Sequence, residues 1–220
     1  MRPVDKGEAP DKLFKKYPEA EPYLEERLGA YCSYCEFPIQ HVPEVEHKEA
    51  KGAGGAVLEW ENLLLSCKYC NTRKSKVVAA GEKNQYLWPD ENDTFHVFSY
   101  EKGIPSLNEE YLKTQEEEIQ KKAQKLYDLI KYGNIPISPS DKDRRFMARN
   151  EARNYAINSR NGWEKVKETE NRKVYFEQII LLAQATGFFS TWMEVFKDDA
   201  EIKKGLIKAF KGTKESYFSD

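Results

Sequence analysis

No apolar run in this 220-residue chain approaches the roughly 18 residues needed to cross a bilayer. The opening Met1-Arg2-Pro3-Val4-Asp5-Lys6-Gly7 lacks the apolar core of a signal peptide. From these two absences we expect a cytoplasmic protein with no membrane contact. An overall basic field is missing too: the formal net charge is −2, so any hold on a polyanion must come from a local patch. There is no internal repeat and no low-complexity segment. Cysteine is scarce, four residues in all, and every one lies between Tyr31 and Lys76. Charged residues make up 33% of the chain, which is polar for a globular protein. Even so, 13 Tyr, 11 Phe and 4 Trp separate it from disordered sequences and supply bulk for a core.

Apolar spacing predicts short helices over residues 11–17 and 20–28, with Gly29 as the stop. Prolines and the Gly52, Gly54, Gly55 cluster mark residues 32–70 as hairpin and loop, with extended pieces such as 37–42. Residues 60–65 form a buried apolar step, 71–80 a helix on which Arg73, Lys74 and Lys76 project, and 95–100 contain a short strand. From Ser106 the composition turns helical. Ser106-Leu107-Asn108-Glu109 fits a capping box, and Leu112, Ile119, Ala123, Leu126 and Ile130 share one stripe that ends at Gly133. Glu117 with Lys121, and Glu118 with Lys122, stand at ion-pair spacing on the opposite face.

After a turn over 134–139, a second helix starts near Ser140 or Asp141, with Asn161-Gly162 a point of interruption. A third helix, over 174–185, is apolar nearly all round and therefore expected to be buried; a fourth runs from Phe188 towards Phe210. The chain reads as α+β, mainly helical, in two parts: residues 1–105 around the cysteines, with an N-terminal helical wrap, and a helical domain over 106–220.

The cysteines form two Cys-x-x-Cys knuckles, Cys32 with Cys35 and Cys67 with Cys70. Each knuckle offers two thiolates from one tight turn, and together they complete a tetrahedral set for Zn²⁺, whose bonds to sulfur are about 2.3 Å long. Four protein ligands leave no position for water or substrate, so this zinc is structural. A redox role needs only one pair and a thioredoxin-like setting. Between the knuckles lies Glu46-His47, and beyond them Asn71. A hairpin carrying His47, pinned by zinc to a helix carrying Asn71, can present an imidazole and two oxygen ligands, Glu46 and Asn71, around a hard cation such as Mg²⁺ or Mn²⁺.

Glu46-His47, a glycine-containing loop, Asn62-Leu63 and then Cys67-x-x-Cys70-Asn71-x-x-Lys74 resemble the HNH, or ββα-metal, endonuclease motif in its four-cysteine form. The resemblance implies a small ββα-metal core with an appended helical domain. It also implies that His47 is the general base, that Glu46 and Asn71 hold the catalytic metal, that Asn62 braces the hairpin, and that Lys74 contacts phosphate. Lys68, Arg73 and Lys76 extend that basic cluster. The sequence departs from the common pattern after the histidine, with Lys48 and Ala50 where an apolar residue and a proline are usual, and in having Asn71 as the last member of the triplet.

The opening heptapeptide, Tyr31-Cys32-Ser33-Tyr34-Cys35-Glu36 and the helical second half resemble the HNH nuclease subunits of Septu-type antiphage defence systems, the PtuB family. That resemblance implies an ABC/SMC-like, PtuA-like ATPase partner docked on the helical half. The sequence is therefore read as a metal-dependent endonuclease acting on the phosphodiester bonds of DNA or RNA. A zinc-stabilised nucleic-acid-binding or adaptor module without catalysis is the alternative.

Overall fold

The computed structural model describes residues 1–138 and 140–218. Pro139, the end of the turn expected over 134–139, lies outside the described residues.

Strand β1 (Glu44–His47) pairs antiparallel with β2 (Leu63–Ser66), placing His47 opposite Leu63 and Glu44 opposite Ser66. All four residues of β2 are buried, because α1 (Glu21–Leu28) packs against this strand. Only an isolated bridge, Tyr31 to Pro38, forms in the expected extended piece over 37–42; the strand begins after Pro43. Helix α2 (Lys68–Lys74) follows β2 directly and completes a ββα unit. It starts earlier than the sequence suggested and stops sooner. Cys67 is its N-cap, with Sγ accepting from the Cys70 amide at 3.4 Å, and Ser75, at φ +43°, turns the chain out of the helix.

The helix expected over 11–17 is absent. Pro10 and Pro18 bracket the segment, Leu13 is 95% exposed, and only a short 3-10 turn, Tyr17–Ala20, leads into α1. The expected strand over 95–100 shrinks to β3 (Phe98–Ser99), which pairs with β4 (Ser106–Leu107). Ser106 is thus in a strand and does not cap a helix. Asn108 takes that role, its Oδ1 accepting from the Tyr111 amide at 3.2 Å. The apolar stripe is divided between α3 (Glu109–Leu112) and α4 (Glu117–Leu129), and the two ion pairs form on α4 at 2.6 and 2.5 Å.

Helix α5 (Arg145–Val166) runs through Asn161-Gly162 without interruption. A Cβ at Gly162 would stand 1.8 Å from the Tyr175 hydroxyl, so the glycine admits α6 (Arg172–Thr186) at close range. Expected to be buried all round, α6 buries only Ile179 and Ala183. It packs against α5 and α8 on one side, and Val174 and Leu181 on the other remain 57% and 65% exposed. The expected fourth helix is two, α7 (Phe189–Val195) and α8 (Ala200–Ala209), because Asp199 accepts from the Ile202 amide at 2.9 Å and caps a new start. The two α7–α8 faces and α5–α6 make a helical bundle with its own apolar core from Ala156 to Phe210; the hairpin, α1 and α4 share another.

Buried charge fastens the chain's first residues to the hairpin. Lys6 Nζ donates to the carbonyls of Trp60 (2.8 Å) and Leu63 (2.9 Å) and pairs with Asp90 at 2.8 Å. Lys48, directly after His47, is fully buried and pairs with the same Asp90 at 2.8 Å and with Glu91 at 2.5 Å. Removing one partner from such a cluster leaves an uncompensated buried charge, which typically costs about 3–5 kcal/mol. Lys48→Ala is expected to lower unfolding free energy in urea by about 3 kcal/mol, whereas Lys121→Ala on the solvated face of α4 is expected to change it by under about 1 kcal/mol.

Candidate active site and metal centre

The four cysteines converge from two tight turns, and their sulfurs all lie within 4.8 Å of one another in a buried cluster. A tetrahedral ion with bonds of about 2.3 Å separates its sulfurs by about 3.8 Å; Cys35 and Cys67 Sγ stand 3.7 Å apart. The donor set therefore suits a structural zinc. Burial and the neighbouring sulfurs push the Cys35 and Cys70 thiols well above their ordinary range. At Cys32, burial opposes ionisation, but hydrogen bonds from the other three thiols outweigh it and hold this thiol well below that range. Gathering four thiolates in one buried cluster requires a cation to balance their charge. Arg145, at the start of α5, supplies further positive charge, with Nη1 3.5 Å from Cys70 Sγ.

Ser33 donates its amide to the Leu65 carbonyl at 2.9 Å, fixing the first knuckle to β2, while the second knuckle caps α2. The clamp thereby sets β1 beside α2. Between them opens a cleft of about 430 Å³ lined by Glu46, His47, Asn71, Thr72, Ser75 and Lys76, among others. Four of the residues singled out from the sequence, Glu46, His47, Asn71 and Lys76, line this cleft.

His47 Nε2 lies 3.0 Å from the Val57 carbonyl oxygen. A carbonyl only accepts, so Nε2 carries the hydrogen and Nδ1 keeps its lone pair. The Tyr17 ring meets the imidazole edge-on at 4.8 Å. Burial lowers the His47 pKa below 6.5; the Val57 contact opposes this, and Lys51 and Lys74 add to it. The imidazole is neutral at neutral pH.

Glu46 is buried. One carboxylate oxygen accepts from the Tyr34 hydroxyl and the other lies 3.3 Å from Lys74 Nζ. Burial raises its pKa to about 7, against the pull of Lys74. Asn71 donates Nδ2 to Glu44 Oε2 at 2.7 Å. One carboxylate and one amide oxygen bordering a cleft are donors suited to a hard divalent cation, with Lys74 a competing positive charge on the carboxylate. Asn62 spans the loop between the strands: its Oδ1 accepts from the Glu49 amide at 2.8 Å, and its Nδ2 donates to the carbonyls of Glu49 (3.0 Å) and Ala56 (2.7 Å).

The basic residues separate into two sets. Lys74 is only 1% exposed; it turns inward, where it also donates to the His47 carbonyl, and it does not present its charge to solvent. Lys68, Arg73 and Lys76 are exposed: Lys68 pairs with Glu44 at 3.0 Å, Arg73 lies over the Tyr69 ring at 4.8 Å, and Lys76 borders the cleft. Lys48, placed after the histidine, is buried against Asp90 and Glu91 and does not face the cleft.

Sequence reasoning missed Tyr17, Tyr34, Glu44 and Lys51. Glu44 was within reach, since it shares a strand face with Glu46 at period two, and Tyr34 sits inside the first knuckle. Tyr17 comes from a segment whose one local signal, apolar spacing, pointed to a helix that does not form.

One zinc per chain is expected by elemental analysis. Cys67→Ser removes a ligand and the α2 cap together, so it is expected to lose the metal and to lower the unfolding midpoint sharply. Full zinc occupancy in that variant would contradict the four-sulfur site.

No curated protein and no solved structure matches the chain. No helix among the described residues is long and apolar enough to cross a membrane. Residues 32–76, from the first cysteine of the clamp to the last residue lining the cleft, match the family model described as HNH endonuclease, so this stretch is an HNH-family domain carrying a four-cysteine metal-binding cluster.

Proposed function

We propose that the protein is a metal-dependent HNH endonuclease that hydrolyses phosphodiester bonds of nucleic acid. The observation that carries this reading is the setting of His47. Its imidazole is neutral and its Nε2–H is fixed on the Val57 carbonyl. The Nδ1 lone pair remains available beside a cleft that Glu46 and Asn71 also line. A non-catalytic binding module has no need of such a histidine.

In this mechanism His47 Nδ1 takes a proton from water as the water attacks phosphorus in line. Tyr17 and the Val57 carbonyl keep the ring from rotating. Glu46 and Asn71 would hold Mg²⁺ or Mn²⁺, which supplies charge stabilisation at the phosphate when bound. Asn62 maintains the loop that carries Val57 and hence the tautomer of the base. Lys76 and Lys51, on the cleft wall, offer charge to the substrate's phosphates.

The same proposal includes the cellular role. The likeness of the opening heptapeptide and first knuckle to Septu-type nuclease subunits supports an antiphage defence complex with an ABC/SMC-like ATPase. The helical half would be its docking surface.

Purified protein with Mg²⁺ or Mn²⁺, together with the ATPase where cutting requires it, is expected to cleave nucleic acid. His47→Ala is expected to reduce cleavage by about 10²-fold or more while keeping zinc and fold; a variant that cuts at the wild-type rate refutes the assigned base. The pH profile of kcat/KM is a separate check. Because burial lowers the His47 pKa below 6.5 and raises that of Glu46 to about 7, the acid limb is expected to follow Glu46: activity declines as pH falls through about 7 at limiting Mg²⁺ and persists to lower pH as Mg²⁺ is raised.

A further inference from the structure

A second recess flanks α2 on the side of the zinc clamp. It measures about 360 Å³ and is bounded by residues 37–42, the start of α2, and residues 142–145 just before and at the start of α5. Phe37, Pro38, Ile39 and Val42 give it an apolar wall, and Val42 is exposed. Lys68, Lys142 and Arg144 stand on its rim, all solvent-exposed, and no aspartate or glutamate lines it. Lys142 and Arg144 make no ion pair among the described residues. In a chain of net charge −2, two uncompensated cations beside an apolar recess are a local reversal of sign.

The groove is held in place from beneath. Arg145 is buried, and its guanidinium bonds both oxygens of Asp143, the Ile130 and Lys131 carbonyls and Cys70 Sγ. That anchorage fixes residues 142–144 against the second knuckle, so Lys142 and Arg144 project from a rigid base. The groove and the cleft share α2. Lys68 borders the first and Thr72 the second, one helical turn apart, or about 6 Å along the axis. A nucleic-acid strand covers that distance with about two phosphates.

We propose that this groove is a substrate subsite for an unpaired strand of nucleic acid leaving the cleft, with phosphates on Lys68, Lys142 and Arg144 and a base against the apolar wall. The proposal rests on the nuclease reading and adds to it a role for the helical half in holding substrate. Charge complementarity selects a polyanion. The apolar wall selects a strand whose base faces are free, because paired bases in a duplex present only their edges and phosphates.

The test uses the full chain in a His47→Ala background, so that substrate persists during the measurement. Fluorescence anisotropy is recorded with a labelled single-stranded oligonucleotide and a blunt duplex of the same length, in DNA and RNA forms, over a range of salt. Lys142→Glu with Arg144→Glu is compared with Lys204→Glu with Lys208→Glu, which makes the same change in net charge on exposed positions of α8. The groove variant is expected to bind the single strand about tenfold more weakly, with a salt slope shallower by about 1.4, that is about 0.7 for each of two phosphates. The α8 variant is expected to stay within about twofold of the parent.

Equal affinities for the two double variants overturn the subsite. An equal loss on duplex and single strand overturns the unpaired strand as its occupant. A parent that binds no nucleic acid, and whose wild-type form cuts none, overturns the nuclease reading itself; a parent that binds normally leaves that reading standing whatever the groove variant does.

Discussion

The convergence of four sulfurs is the constraint on which the rest of the site depends. Residues 36–66 leave the clamp at Cys35 and return at Cys67, so the metal closes a loop that contains both strands and the segment between them. Closing a loop of that length in a polar chain is costly in entropy. The two-stranded sheet, four residues to a side, is too small to meet that cost by itself. Each knuckle also has a second task. The first ties its backbone to β2 through the Ser33 amide, and the second is the N-cap of α2. Fixing the ion therefore fixes strand against helix, and the cleft is the space left between them.

Charge extends the clamp in two directions. Arg145 joins Cys70 to the start of α5, while Glu36, at the end of the first knuckle, accepts from the Ser190 amide at 3.0 Å and from the Arg2 amide at 2.5 Å. Through these contacts the helical bundle and the chain's first residues are registered to the metal centre. Lys6 and Lys48 then share Asp90 beneath the hairpin. A polar chain with 40% hydrophobic residues thus holds its site largely through buried cations tied to carboxylates and main-chain carbonyls.

The candidate site was legible because residue types and their spacing survive as local pattern: the two Cys-x-x-Cys pairs gather in one buried cluster, and Glu46, His47 and Asn71 line one cleft. Helix limits were not, since they turned on events that periodicity does not record, such as a thiol capping α2 and Asn108 displacing Ser106 as the cap of α3. The open face of α6 has the same origin. Its composition is that of a buried helix, but how many neighbours a helix receives is a tertiary matter. Gly162 shows the converse, a residue whose local signal is interruption and whose use is close approach by Tyr175.

Lys74 illustrates how a residue's role follows from its place on the helix more than from its charge. It lies four residues after Cys70, and positions i and i+4 share a helical face. Since Cys70 must point inward to the metal cluster, Lys74 is carried inward too, whereas Lys68 and Arg73 are not. An ammonium placed there needs acceptors, and it finds the Glu46 carboxylate and the His47 carbonyl. Glu46 in turn gains a cation, without which burial would raise its pKa further, and it accepts a hydrogen bond from the Tyr34 hydroxyl. The last two residues of β1 are thereby pinned to α2 by one side chain, through a side-chain contact at Glu46 and a main-chain contact at His47. The position of the imidazole is set from α2, the element that also supplies Asn71, so the two walls of the cleft cannot move independently.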